Sequence, residues 1–207
     1  MRLSHEAPAT RWGFLLGASR QPVLPSVVGG ASYRFSGAGH FILEASMRYL
    51  TIHCAATTAA MDIGVAEIRE WHLARGFRDV GYHYVIRRDG TLERGRPENQ
   101  TGAHVGGYNS GNLGICMVGG VASDGRTPED NFTEAQWAEL DRLLTELHGR
   151  YPEAIIMGHN GFPGHETRGC PCFDWRTYRD GLHDLWADRP AEWHGHWIEE
   201  VDAIDAV

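Results

Sequence analysis

Met47-Arg48-Tyr49-Leu50-Thr51-Ile52-His53-Cys54 reads as the opening of a folded domain, because the run from Tyr49 to Cys54 is rich in β-branched and aromatic residues. It predicts a strand that ends on a histidine. A helix is expected next: Val65, Ile68, Trp71 and His72 fall on one face at helical spacing, and Gly76 stands where a left-handed C-terminal cap belongs. Gly81 to Arg87 and Thr91 to Arg94 flank Asp89-Gly90, a dipeptide suited to a type I′ turn, which predicts a hairpin. Leu113 to Val118, closed by Gly119-Gly120, reads as a buried strand. Thr133 with Gln136 has the pattern of a capping box, and Trp137, Leu140, Leu144 and Leu147 follow at three- and four-residue steps to Gly149. After Pro152, Ala154 to Met157 reads as a last strand leading into Gly158-His159. Strands alternating with helices, with a hairpin among them, predict an α/β fold: a central mixed β-sheet flanked by α-helices.

Upstream of this region, residues 1–46 carry Gly, Ser, Pro and Ala without a sustained period, as a poorly ordered leader does, and regular structure is expected to begin near Met47. Met47 is therefore a candidate natural start, a hypothesis that N-terminal sequencing of the native protein would overturn by finding upstream residues. Residues 187–207 form an acidic tail with no expected element.

The 207 residues, 42% hydrophobic, suffice for one sizeable core. With 19 basic and 27 acidic residues the net charge is −8, which argues against general nucleic-acid binding. Cys54, Cys116, Cys170 and Cys172 are too few for a disulfide scaffold; reduced thiols and cytoplasmic synthesis are expected. Apolar stretches at Trp12 to Leu16 and Val23 to Val28 are interrupted by proline and glycine, so neither membrane insertion nor a signal peptide is expected.

His53 and His159 both end strands, where side chains of neighbouring strands converge on one rim of a sheet, and Cys170 follows in a Gly/Pro-rich loop. Two imidazoles and a thiolate can hold zinc and leave a fourth tetrahedral position open, the pattern of a catalytic site. With 12 histidines in the chain, such a triplet also arises by chance, and a lone strand-end histidine is more often structural. Tyr82, taken alone, reads as a core-edge aromatic of the hairpin, with His83 on the opposite side of the strand. Cys54 and Cys116 read as small buried hydrophobes, and Cys172 as packing that points away from the ligand cysteine.

Taken in order, the motifs are more specific. They are Thr51-Ile52-His53-Cys54-Ala55-Ala56-Thr57, Asp79-Val80-Gly81-Tyr82-His83-Tyr84, Arg88-Asp89-Gly90-Thr91, Gly102-Ala103-His104-Val105-Gly106-Gly107-Tyr108-Asn109, Leu113-Gly114-Ile115-Cys116-Met117-Val118-Gly119-Gly120 and Cys170-Pro171-Cys172-Phe173-Asp174. From about Tyr49 to Tyr178 the chain resembles the N-acetylmuramoyl-L-alanine amidases of the type-2 amidase and peptidoglycan-recognition-protein superfamily, in particular phage endolysins similar to T-seven lysozyme. The resemblance implies a single zinc amidase domain over residues 47–186 that acts on peptidoglycan or muropeptides as a monomer, reaching the cell wall after release from the cytoplasm. It implies zinc ligation by His53, His159 and Cys170, with Tyr82 and Arg168 as catalytic residues beside the metal. It also implies a sugar-peptide groove lined by His104, Tyr108 and Asn109.

Two departures stand out. Similar phage enzymes carry lysine where this chain has Arg168, and arginine keeps the charge without readily giving up a proton. The segment between His159 and Cys170 is also longer than in those relatives, which brings His165 and Glu166 near the metal and leaves His165 as an alternative ligand to His159. The thiolate at position 170 speaks against two other readings, a non-hydrolysing receptor and a muropeptide-recycling amidase with aspartate there. A purely structural zinc module would need a fourth ligand, which the motifs lack.

Overall fold

The computed structural model describes residues 32–35, 41–44 and 47–187. Most of the expected leader, and the expected tail beyond residue 187, lie outside the described residues. Regular structure nonetheless begins upstream of Met47: β1 (Ser32–Phe35) and β2 (Phe41–Glu44) pair antiparallel as a two-stranded sheet of their own, with Ser32 opposite Glu44.

The principal sheet has five strands: β3 (Tyr49–Cys54), β4 (Tyr84–Ile86), β5 (Leu92–Arg94), β6 (Asn112–Met117) and β7 (Ile155–Gly158). Their spatial order is β5-β4-β6-β3-β7, parallel except for the β4-β5 hairpin. The expected mixed sheet is thus present, and β3 occupies the bounds that its composition indicated.

Side-chain alternation assigns each face of the sheet a task. Leu50 and Ile52 of β3, Leu113, Ile115 and Met117 of β6, and Tyr84 and Ile86 of β4 face α2 (Glu134–Arg150) and α3 (Trp175–Ala187). On α2, Leu140, Leu143, Leu144 and Leu147 are fully buried against this face, each contributing roughly 2 kcal/mol relative to exposure. Val85 and Cys116 face the other way, with Ile63, Val65 and Ile68 packed over them from α1 (Val65–Ala74) and the loop before it. Thr51, His53, Asn112 and Gly114 alternate with the α2-facing residues and so share this second face, where the Thr51 hydroxyl donates to Asn112 Oδ1 at 2.7 Å.

Helix ends follow the sequence closely. The Thr133/Gln136 capping box forms, and the Gln136 amide reaches past its own helix to donate to the carbonyls of Ile86 and Val118, at 3.1 and 2.8 Å. After α1, Gly76 takes φ +85°, with its N–H on the Leu73 carbonyl and that of Phe77 on the His72 carbonyl, the pairing of a Schellman cap. Trp71 departs from expectation: it is 39% exposed, while Val65, Ile68 and His72 hold the buried face.

The hairpin turn is also not the expected two-residue type I′. Ile86 pairs with Leu92, Arg87 N–H donates to Thr91 O, and Gly90 alone has positive φ (+86°), so the connection is a longer loop around an Arg87-to-Gly90 turn. Helix α3 has no counterpart among the expected elements; it starts where Asp174 Oδ1 accepts the N–H groups of Arg176 and Thr177.

Candidate metal centre and its cleft

The carboxyl ends of the neighbouring parallel strands β3 and β7 bring His53 and His159 to one rim. His159 opens a single 3-10 turn (His159–Gly161) held against α3. A Cβ at Gly158 or Gly161 would meet the Trp175 ring at 2.2 or 2.6 Å, so only glycine lets the turn lie on that indole. Asn160 then closes the ligand loop: its side chain accepts from Trp175 Nε1 at 2.7 Å, its N–H donates to Cys170 O at 3.1 Å, and its amide donates to Arg168 O at 3.3 Å.

One potential ligand atom each from His53, His159 and Cys170 lies within 4.8 Å of the others, and Cys170 Sγ is 3.7 Å from His53 Nδ1. The backbone N–H of Cys54 also donates to Cys170 Sγ at 3.3 Å. His165 stands outside this trio. Its Nδ1 is 3.1 Å from His159 Nε2, so it backs the histidine to which it is the alternative ligand.

His104 takes a comparable place behind His53, with Nδ1 at 3.0 Å from His53 Nε2 and Nε2 at 3.2 Å from the Asn112 carbonyl oxygen. A carbonyl only accepts, so His104 must carry its proton on Nε2 and offer a lone pair at Nδ1. His53 therefore donates from Nε2, which leaves Nδ1 bare and aimed at the trio. Burial supports the neutral forms: it lowers His53 well below its ordinary value, His104 to about 3 and His159 to about 4, with the Arg168 charge as a further cause at His159.

Two neutral imidazoles and a thiol, converging and partly desolvated, are the donor set of a borderline-soft divalent ion such as zinc. The adjoining Cys54 thiol and burial push the Cys170 thiol well above its ordinary value, so ionisation there calls for a nearby positive charge of the kind a metal supplies.

His159 and Cys170 of the trio line a cleft of about 540 Å³, together with His165, Arg168, Trp71, Arg75, Phe77 and Tyr82. Tyr82 faces this space, its ring centroid 5.2 Å from that of His53, and burial raises its hydroxyl well above the ordinary tyrosine range. His83 points the other way and is structural: Nδ1 accepts from Gly114 N–H and Nε2 meets the Gln100 carbonyl, both at 2.9 Å.

Of the residues expected in the groove, His104 and Asn109 line the cleft and Tyr108 does not. Asn109 Oδ1 is committed to the N–H groups of His104 and Val105, at 2.9 and 2.8 Å, and the Tyr108 ring packs on Phe162 at 5.1 Å. Cys172 also differs from expectation. It sits at φ +73° rather than in an extended segment, and its Sγ is 3.3 Å from that of Cys54.

No sequence signal marks Trp71, Arg75 and Phe77 as cleft residues. The polar partners Thr51 and Asn112, which steady the sheet beside His53, likewise carry none. Among the described residues, no helix is long and apolar enough to cross a membrane.

Known proteins resemble this chain in sequence and in fold. A family model described as N-acetylmuramoyl-L-alanine amidase matches residues 44–173. The chain is 51% identical over 123 residues to the endolysin of Enterobacteria phage K11, covering 59% of this chain and 79% of that one. To the endolysin of Escherichia phage T7 it is 41% identical over 140 residues, covering 67% and 89%. Among solved structures, the Ph2119 endolysin from a Thermus scotoductus MAT2119 bacteriophage superposes with a TM-score of 0.54 at 26% identity, covering 72% of this chain and 88% of that one.

Proposed function

This chain belongs to the N-acetylmuramoyl-L-alanine amidase family, and from that premise we propose that it hydrolyses the muramoyl–L-alanine amide of peptidoglycan, as an endolysin does, with zinc held by His53, His159 and Cys170. The observation that carries the reading is the convergence of those three donors within 4.8 Å, two of which, His159 and Cys170, line a cleft that Tyr82 and Arg168 also line. Zinc, when bound, supplies a Lewis acid that polarises the scissile carbonyl and makes water nucleophilic near neutral pH.

The chain's own residues do the rest. His53 and His159 stay neutral ligands because burial disfavours their protonation and His104 fixes the His53 tautomer. The Tyr82 hydroxyl, protonated at any working pH, orients water and donates a hydrogen bond to the departing nitrogen. Arg168 brings a fixed positive charge to the cleft, suited to the oxyanion that develops on the scissile carbonyl oxygen. Arginine does not release its proton, so proton donation falls to Tyr82 or to water. Peptidoglycan or a soluble muropeptide is the substrate class, reached after release from the cytoplasm.

Purified cell walls treated with wild type and Cys170→Ala in parallel, each with its zinc counted, test the reading. It predicts about one zinc for wild type, with release of free L-alanine amino termini, and neither for the variant. Wild type that binds wall and zinc but releases no termini would overturn hydrolysis in favour of a receptor.

A further inference from the structure

We infer that His165 is a positioning residue that sets two groups at once: the tautomer of His159 and the place of Arg168. The inference rests on the reading above that His159 is a ligand, and it deepens that reading. His165 Nε2 lies 3.1 Å from the Gly106 carbonyl oxygen, an acceptor only, so this nitrogen carries a proton. Arg168 Nε–H donates to His165 Nδ1 at 3.2 Å, so that nitrogen carries a lone pair. Two independent partners thus dictate one neutral tautomer.

His159 Nε2 lies 3.1 Å from the same nitrogen, where a second lone pair would be repelled, so it meets it as an N–H donor that shares the acceptor with Arg168. A neutral His159 is then bare at Nδ1, which becomes its ligating atom. The chain so provides each proposed ligand histidine with a second histidine pinned on a backbone carbonyl: His104 on Asn112 behind His53, and His165 on Gly106 behind His159.

The two arrangements differ in mounting. His104 lies against Gly114 of the sheet, where a Cβ would meet its ring at 2.7 Å. His165 is half-buried and rides the loop between His159 and Cys170 itself. Through Gly106 it bridges that loop to the 102–109 segment, and through Nδ1 it couples the ligand to the cleft's cation. Without it, the His159 ring is free to exchange tautomers, and Arg168 loses the acceptor that holds its Nε.

Three forms of the chain test this: wild type, His165→Ala, and His165→Asn, whose Oδ1 can stand where Nδ1 stood and accept from both partners. Two readouts are taken: zinc affinity by chelator competition, and the His159 ring tautomer by long-range ¹H–¹⁵N correlation in zinc-free protein. His165→Ala is expected to bind zinc about 10- to 100-fold more weakly, the usual effect of removing a partner behind a ligand. Its His159 should show mixed tautomers, with His165→Asn recovering most of the affinity and the Nε2–H form. Wild-type zinc affinity together with a single Nε2–H tautomer in His165→Ala overturns the inference. If wild type binds no zinc, the ligand reading fails by itself, and the tautomer spectra still judge His165. Should His165→Ala not fold, His165→Leu, which fills the space without an acceptor, takes its place: wild-type zinc affinity with a single Nε2–H tautomer in that variant overturns the inference, and mixed tautomers support it.

Discussion

Gly114→Ala joins the sheet to the candidate metal centre in one methyl group. A Cβ at this position would stand 2.7, 2.7 and 2.8 Å from Cγ, Cδ2 and Nδ1 of His104. The ring has nowhere to retreat: its nitrogens are held by His53 at 3.0 Å and the Asn112 carbonyl at 3.2 Å, and a Cβ at Gly102 would be only 2.6 Å from Cδ2. Overpacking of this kind costs about 1–3 kcal/mol. Forcing the ring aside also leaves His53 Nε2–H without its acceptor in a buried site, about 1–3 kcal/mol more. Together these predict a loss of about 2–6 kcal/mol in denaturant unfolding, and weaker zinc binding in the same variant.

A double-mutant cycle isolates the cause. In a His104→Ala background the ring is gone, so adding Gly114→Ala should change stability by less than about 0.5 kcal/mol. An equal loss in both backgrounds would refute the argument, because the penalty would then lie in the strand and not in the ring.

Two further expectations follow from single residues. Gly181 lies within α3, where an added Cβ would have nothing within 4 Å, so Gly181→Ala should stabilise the protein by about 0.5–1 kcal/mol in the same unfolding assay, and a destabilisation would count against that helix. Burial lowers His72 to about 4, His104 to about 3 and His159 to about 4, so below the unfolded value near 6.5 the unfolded chain binds more protons; chelator-treated protein should keep its thermal midpoint above about pH 6.5 and lose it progressively toward pH 4, and a flat profile across that window would contradict the buried neutral histidines.

Local patterns carry much of the fold into view. Strand β3, the capping box at Thr133 and the left-handed Gly76 are each dictated within a few residues, so the chain displays them directly. The convergence of His53, His159 and Cys170 is legible because two histidines end strands and a cysteine follows in a turn-rich loop, although the order of motifs is needed to distinguish it from chance. What escapes is either weakly periodic or set by distant partners. In α3 the buried positions are only Trp175, Leu182 and Trp186, a sparse stripe in a polar helix. Asp89-Gly90 suits a type I′ turn in isolation, yet the pairing of Ile86 with Leu92 lengthens the loop and leaves only Gly90 with positive φ. His104 and His165 cannot be given their places from the chain, since a backbone carbonyl, of Asn112 on the sheet for one and of the distant Gly106 for the other, decides which nitrogen each one offers.

The strand order has a consequence for how the protein comes into being. Strand β3 lies between β6 and β7, yet it leaves the ribosome long before either, and its pairings join residue 49 to residues 112 and 155. Such distant pairings make assembly slow, because a large loop must close before any ladder forms. The donors themselves are spread from position 53 to position 170. A nascent chain therefore cannot bring the three donors together until nearly the whole domain has emerged, and any metal they hold is taken up in one late step.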